Sequence, residues 1–146
     1  MDDERILILV KPDGVASGHI GEVVSRLEKK GYHIDDLKIV LATKDQLARH
    51  YKQLVDKPFY PEIESYMQEG PIVAMIASGT NIVKVFHRMA GATNPSDADF
   101  GTIRGDFGRE WPDGILRNVV HSSDSVPAAE EEIGIWFPEK SAEKSD

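Results

Sequence analysis

The sequence predicts an α/β protein, more narrowly an α+β sandwich of the βαββαβ kind in which helices cover one sheet. Three observations carry the prediction. Compact apolar runs alternate with stretches whose apolar residues recur at helical spacing, in the order strand, helix, strand, helices, strand, helix, strand, helix. Proline and glycine stand at the joints between them. With 146 residues, 40% of them hydrophobic, the chain is long enough for one core and too short for two comfortable ones, so a single domain over 1–146 is expected.

The first strand is residues 5–10, an apolar run closed by Lys11-Pro12-Asp13-Gly14, whose proline and glycine mark a turn. Ile20, Val23, Val24 and Leu27 then recur at helical spacing, and Gly31 after Lys29-Lys30 is a usual helix stop. Residues 32–42 read as the second strand. Thr43-Lys-Asp-Gln46 has the spacing of a capping box, which starts a helix running to about Leu54, with Pro58 and Pro61 as breakers. A short helix follows through Met67, and Gly70-Pro71 introduces the third strand, residues 72–77. Helical spacing resumes over 81–90 and Gly91 terminates it. Residues 92–117 are mostly irregular, and so long a loop in a compact domain is usually functional. Residues 118–121 form a short fourth strand, 127–137 the last helix, and 138–146 a polar, frayed tail. Runs 6–10 and 72–77 are apolar at nearly every position, whereas a sheet with one wet face alternates. Something therefore covers the second face: additional helices or a subunit contact, which leans the reading toward a homo-oligomer.

Composition narrows the function. A net charge of −8 argues against general attraction to nucleic acid or an anionic membrane, and leaves small ligands or other proteins as partners. The chain has no cysteine, so neither disulfides nor thiol chemistry arise. No signal-peptide pattern opens it and no apolar run approaches the ~20 residues of a membrane span, which makes the cytoplasm the default compartment.

Asn118-Val-Val-His121-Ser-Ser-Asp-Ser125 is the most informative stretch, because it brings one imidazole to the end of an apolar run among hydroxyls and a carboxylate. A histidine after a strand is commonly a structural hydrogen-bonding residue. Here the cations and hydroxyls a phosphate needs, Lys11, Tyr51, Thr93 and Arg104, turn the reading toward a nucleophile that carries phosphate. Three of them have a bland alternative: an exposed strand-end lysine for Lys11, a core tyrosine for Tyr51, a surface ion pair for Arg104. In the last helix Glu132 falls on the side of Ala129, Ile133 and Trp136. Either it meets an imidazole N–H of His121 and fixes the ring tautomer, or it lies at the edge of the buried stripe and reaches solvent. Phe59, between Pro58 and Tyr60, is a stacking platform for a base or a loop anchor. Other chemistries fail. There is no Gly-x-Ser-x-Gly elbow and no Walker loop, the five histidines lack short metal-ligand spacing, and Asp106-Phe-Gly lacks the companion motifs of a protein kinase.

Taken together, Lys11-Pro-Asp-Gly, His50-Tyr51, Lys57-Pro-Phe59, Gly70-Pro-Ile-Val-Ala-Met, Gly101-Thr-Ile-Arg-Gly-Asp and Asn118-x-x-His121-x-Ser-Asp-Ser resemble the nucleoside diphosphate kinase family over residues 4–137. The resemblance implies a ferredoxin-like fold with a four-stranded antiparallel sheet. It implies a homohexamer or homotetramer, the hexamer favoured. It also implies Mg²⁺-dependent ping-pong transfer of a γ-phosphate, with ATP as donor, through a phosphohistidine on His121. Lys11 and Tyr51 would sit at the transferring phosphate, Thr93 and Arg104 would bind nucleotide phosphates, Phe59 would stack on the base, and Asn118 would bond near the sugar. Ser123 and Glu132 would orient His121. The metal would be held by the nucleotide phosphates rather than by the protein.

This chain departs from the family pattern in three places. The phosphate-binding arginine ahead of Gly-x-Thr falls on His87, with Arg88 one position later and about 100° away around the helix, so the role passes to one or the other. The glycine usual after the histidine is Ser122, and the connection over 108–116 is longer. Geometry adds a fourth point: Asn118 and His121 face opposite sides of an ideal strand, so the strand is expected to end or twist before His121.

Overall fold

The structure, a computed structural model, describes residues 3–141. Strands β1 (Asp3–Val10), β2 (His33–Val40), β3 (Ile72–Thr80) and β4 (Val120–Ser122) form one sheet in the order β2-β3-β1-β4. Every pairing is antiparallel. The helices are α1 (Pro12–Ala16), α2 (Ile20–Lys29), α3 (Lys44–His50), α4 (Tyr60–Met67), α5 (Ile82–Ala90), α6 (Ile103–Phe107) and α7 (Val126–Trp136), with 3-10 turns at Pro95–Asp97 and Pro138–Lys140.

Alternate residues of β1 point to opposite faces, and each face has its own core. Ile6, Ile8 and Val10 pack with Val23 and Leu27 of α2 and Ile82 and Phe86 of α5. Leu7 and Leu9 pack with Leu47, Met67, Ile133 and Trp136 from α3, α4 and α7. Helices of the same chain thus explain why the central strands are apolar throughout, so their composition does not call for a subunit contact. Full burial of each aliphatic side chain contributes roughly 1.5–3 kcal/mol. The edge strand β2 differs: its burial alternates, Leu37 and Ile39 are 40% and 65% exposed, and Leu41 just beyond its end is 70% exposed.

Local chemistry accounts for most boundaries and for the departures from expectation. Thr43 and Gln46 form the expected capping box, with both bonds at 3.0 Å. Yet α3 stops at His50 instead of Leu54, and residues 51–54 continue as turns. Pro61 starts α4 instead of breaking a helix, because a first-turn proline lacks only an amide that would be unpaired anyway. The turn at Pro12 tightens into α1 for the same reason. The stretch 92–117 contains α6, capped by Thr102, whose hydroxyl accepts the Gly105 amide at 3.0 Å. Strand β3 runs three residues past the expected 77. Of the tail, 138–140 form a turn whose Lys140 carbonyl accepts from Arg5, so this part is docked; 142–146 lie outside the described residues.

Candidate active site

The fourth strand begins where a simple strand could not. Val119 has φ 70°, a left-handed conformation that β-branched residues avoid. The Val120 amide bonds back to the Asn118 carbonyl at 2.7 Å, closing a γ-turn on Val119. Several groups hold it there. The Val119 carbonyl accepts the Lys11 amide at 2.7 Å, and the Val119 amide donates to Asp13 Oδ2 at 3.0 Å. The Arg104 guanidinium donates to the carbonyls of Asn118, Val120 and Gly91 at 3.1, 2.7 and 2.9 Å. The Tyr66 hydroxyl accepts the Asn118 amide at 3.2 Å and donates to Asp13 Oδ1. Gly14 permits the approach: a Cβ there would lie 2.8 Å from Val10 Cγ1 and 3.0 Å from the Val119 carbonyl. The expected break between Asn118 and His121 thus falls at Val119, and what is corrected is the strand's range, Val120–Ser122 in place of 118–121. The chain turns at Val119, and His121 stands inside β4, opposite Leu9 of β1.

Because β4 lies at the sheet edge, His121 looks from the α3/α7 side into a cavity of about 450 Å³. Its Nε2 lies 2.8 Å from Glu132 Oε1, and the side chains are only 16% and 14% exposed. Glu132 thus points inward to the imidazole, not to solvent. The Ser123 hydroxyl, 2.7 Å from the same carboxylate oxygen, also accepts the Leu7 amide at 3.2 Å, which ties the pair to β1. With Glu132 ionised, Nε2 carries the hydrogen and Nδ1 holds the free electron pair. Burial, then the Lys11 cation, pushes His121 down to about 3, so the ring is neutral near pH 7. Burial raises the Glu132 carboxyl while the Ser123 hydrogen bond lowers it.

Two buried cations stand at the same cavity. Lys11 is 8% exposed and its Nζ donates to Asn118 Oδ1 at 2.7 Å; Arg104 is 6% exposed. Neither is the exposed strand-end lysine or surface ion pair of the bland alternatives. Burial, then Arg104, lowers Lys11 to about 7, and burial likewise lowers Arg104. Tyr51, at the C-cap of α3, lines the cavity with its hydroxyl pushed up by burial. Thr93 is exposed on the rim, and its carbonyl accepts Asn118 Nδ2 at 3.0 Å. His87 lines the cavity; Arg88 instead lines a neighbouring depression of about 590 Å³ with His87, Lys84 and Asp124. Phe59 is 48% exposed and off the cavity wall, so this structure does not bring it to the cluster. Ser122 is buried, and among the described residues its hydroxyl has no partner.

Sequence reasoning missed two of the residues that build this site. His50 meets His121 edge to face, with ring centroids 4.3 Å apart, and the Trp136 indole Nε1 donates to His50 Nδ1 at 3.1 Å. The available signal was that Trp136 follows Glu132 by one helical turn. Ligand atoms of His50, His121 and Glu132 come within 4.8 Å of one another, a spacing a metal ion could bridge. The electron pair of His50 Nδ1 is already engaged by the indole, which disfavours that use.

A neutral imidazole with one free nitrogen, set among buried cations in a nucleotide-sized cavity, defines a phosphate-handling site. The family model described as "Nucleoside diphosphate kinase" matches residues 4–142. Nucleoside diphosphate kinase A of Homo sapiens is 48% identical over 134 residues, 92% of this chain and 86% of that one. Nucleoside diphosphate kinase B of Rattus norvegicus is 47% identical with the same coverage. A halophilic nucleoside diphosphate kinase from Halobacterium salinarum, solved in complex with CDP, superposes with a TM-score of 0.88 at 37% identity, covering 96% of this chain and 91% of that one. The chain belongs to the nucleoside diphosphate kinase family.

Proposed function

We propose that the protein transfers the γ-phosphate of a nucleoside triphosphate, with ATP as donor, to a nucleoside diphosphate by a ping-pong route through His121, and so maintains nucleoside triphosphate pools. The observation that carries this reading is the Glu132 bond to Nε2, which leaves Nδ1 of His121 unshared beside Lys11 and Arg104. The Nδ1 pair attacks the γ-phosphorus, the N–P bond forms, and the P–O bond to the departing diphosphate breaks. Nε2 keeps its hydrogen, so no proton leaves the ring, and Glu132 balances the positive charge that develops on it. A diphosphate oxygen then attacks the phosphorus and the electron pair returns to Nδ1.

Lys11 and the Tyr51 hydroxyl serve the transferring group; Thr93 and Arg104 hold phosphates, Asn118 the sugar side, and Phe59 the base. Ser123 and Glu132 orient the ring. Of the two candidates for the remaining cation, His87 is placed on the cavity wall and Arg88 in the adjoining depression, which favours His87. CDP in the Halobacterium relative supports a nucleotide as the occupant. Mg²⁺, bound through the nucleotide rather than by a protein ligand set, would supply partial neutralisation of the phosphate charge beside Lys11 and Arg104. The residues fit that arrangement: the cavity presents cations, and its most buried carboxylate, Glu132, is engaged by His121 and Ser123.

We further propose a homo-oligomer, the hexamer ahead of the tetramer, supported by the exposed apolar side chains of the edge strand β2. The proposed unit is one domain over 1–146, and the proposed compartment is the cytoplasm. Among the described residues no helix is long and apolar enough to cross a membrane. The decisive experiment is incubation with γ-labelled ATP and Mg²⁺, then addition of a nucleoside diphosphate. An acid-labile, base-stable label should form on His121 and discharge to the acceptor. Absence of label, or its persistence in His121→Ala, overturns the reading.

A further inference from the structure

Two imidazoles stand side by side in the cavity, and only one of them is used by the proposed transfer. We propose that His50 is a positioning residue for His121, with its own tautomer locked by Trp136, so that of the paired rings only His121 offers an unshared electron pair to a phosphoryl group. The inference rests on the phosphohistidine reading for its consequence, and on hydrogen-bond chemistry for its cause.

An indole nitrogen donates and never accepts. Trp136 Nε1 lies 3.1 Å from His50 Nδ1, so Nδ1 is the acceptor and the neutral ring carries its hydrogen on Nε2. Neither nitrogen of His50 is then a nucleophile: one pair is spent on the indole, and the other nitrogen is protonated. Protonating Nδ1 would set two N–H groups against each other. The groups facing His50 reinforce this: burial and His121 lower its basicity, Lys11 lowers it further, and only Glu132 raises it.

The mechanical part follows from the ring geometry. His50 lies edge-on to His121 at 4.3 Å with 73° between the planes, and edge-on to Tyr51 and Trp136 at 4.7 and 5.8 Å. At that separation His50 packs against the His121 ring and limits its rotation. One helix anchors both restraints: Glu132 and Trp136, four residues apart on α7, hold His121 and His50 respectively. Trp136 is fully buried, so this anchor cannot drift into solvent.

The primary test needs no substitution. Imidazole ¹⁵N resonances of the wild-type protein at pH 7 should identify His50 as the Nε2–H tautomer and keep it so down to pH 5. A Nδ1–H or protonated His50 refutes the lock. Next, Trp136→Phe, which keeps a buried aromatic ring but removes the indole donor, should give a mixed or titrating His50 and a new pH limb in kcat. An unchanged tautomer refutes the role of the indole. Finally His50→Ala should lower kcat roughly ten- to a hundredfold with the nucleotide KM within about twofold, and His50→Asn, which can still accept from the indole, should restore part of it. Unchanged kcat in a variant with a native circular dichroism spectrum refutes the positioning role. If wild-type protein forms no phosphoenzyme, the kinase reading fails while the tautomer result stands, so the two failures are distinguishable.

Discussion

Binding of nucleotide should draw a proton into the protein, and Lys11 should be where it lands. Its ammonium is 8% exposed, bonded to Asn118 at 2.7 Å, and lowered to about 7 by burial and then by Arg104, with Asp13 opposing. At pH 8 such a group is charged in only about a tenth of the molecules. A phosphate charge about 4 Å away contributes roughly 4 kcal/mol at an effective dielectric of about 20, equivalent to ~3 pK units. That restores the ordinary lysine range and fills the site. The uptake is then about 0.9 proton per bound nucleotide at pH 8 and about 0.5 at pH 7. Calorimetric titration with Mg²⁺·ADP in buffers of different ionisation enthalpy measures it as the slope of observed against buffer enthalpy. Lys11→Arg, permanently charged, should bring the slope near zero. A wild-type slope below about 0.2 at pH 8, or an equal slope in the arginine variant, would refute the argument.

Other expectations follow from the same geometry. Glu132→Gln removes the charge that balances the phosphorylated ring, and rapid-quench measurement of labelled protein should show phosphoenzyme formation roughly a hundredfold slower with nucleotide binding little changed. Arg104→Ala orphans three carbonyls around the Val119 turn; urea unfolding should register a loss of roughly 2–4 kcal/mol. In Gly105→Ala the new Cβ would sit 1.9 Å from the Asp99 carbonyl oxygen, so a midpoint drop corresponding to roughly 1–3 kcal/mol is expected in thermal denaturation. Both paired histidines are lowered to about 3 from an ordinary 6.5, so the unfolded chain binds protons that the folded chain refuses. Their contribution to stability is full above pH 6.5 and is lost as pH falls from 6.5 toward 3; observing either ring titrate near 6.5 by NMR would contradict it.

The strands, the capping box and the histidine that lines the cavity were legible because each is written in neighbouring residues. Thr43 and Gln46 stand three apart, and the apolar run 6–10 announces a strand covered on both faces. The Glu132 contact was half legible: helical phase put the carboxylate on the apolar side, and only the packing of α7 on β1 decided that it met His121. What stayed hidden was tertiary. The γ-turn at Val119 depends on Lys11, Asp13 and Arg104, which lie far from it in sequence. The His50–Trp136 bond joins residues 86 apart, and in sequence Trp136 reads as ordinary core. Phe59 was singled out by its setting between Pro58 and Tyr60 and by the family motif, and the fold leaves it outside the cluster.

Helix α7 packs on β1, and the Arg5 guanidinium reaches Glu130 and the Lys140 carbonyl, so residues 125 and 135 positions apart in sequence meet here. During synthesis on a ribosome, the earlier strands can pair and bury their side chains while His121 still lacks its carboxylate partner. The pair is completed only once α7 is made: a chain interrupted before Glu132 would contain His121 yet lack the carboxylate that meets its Nε2.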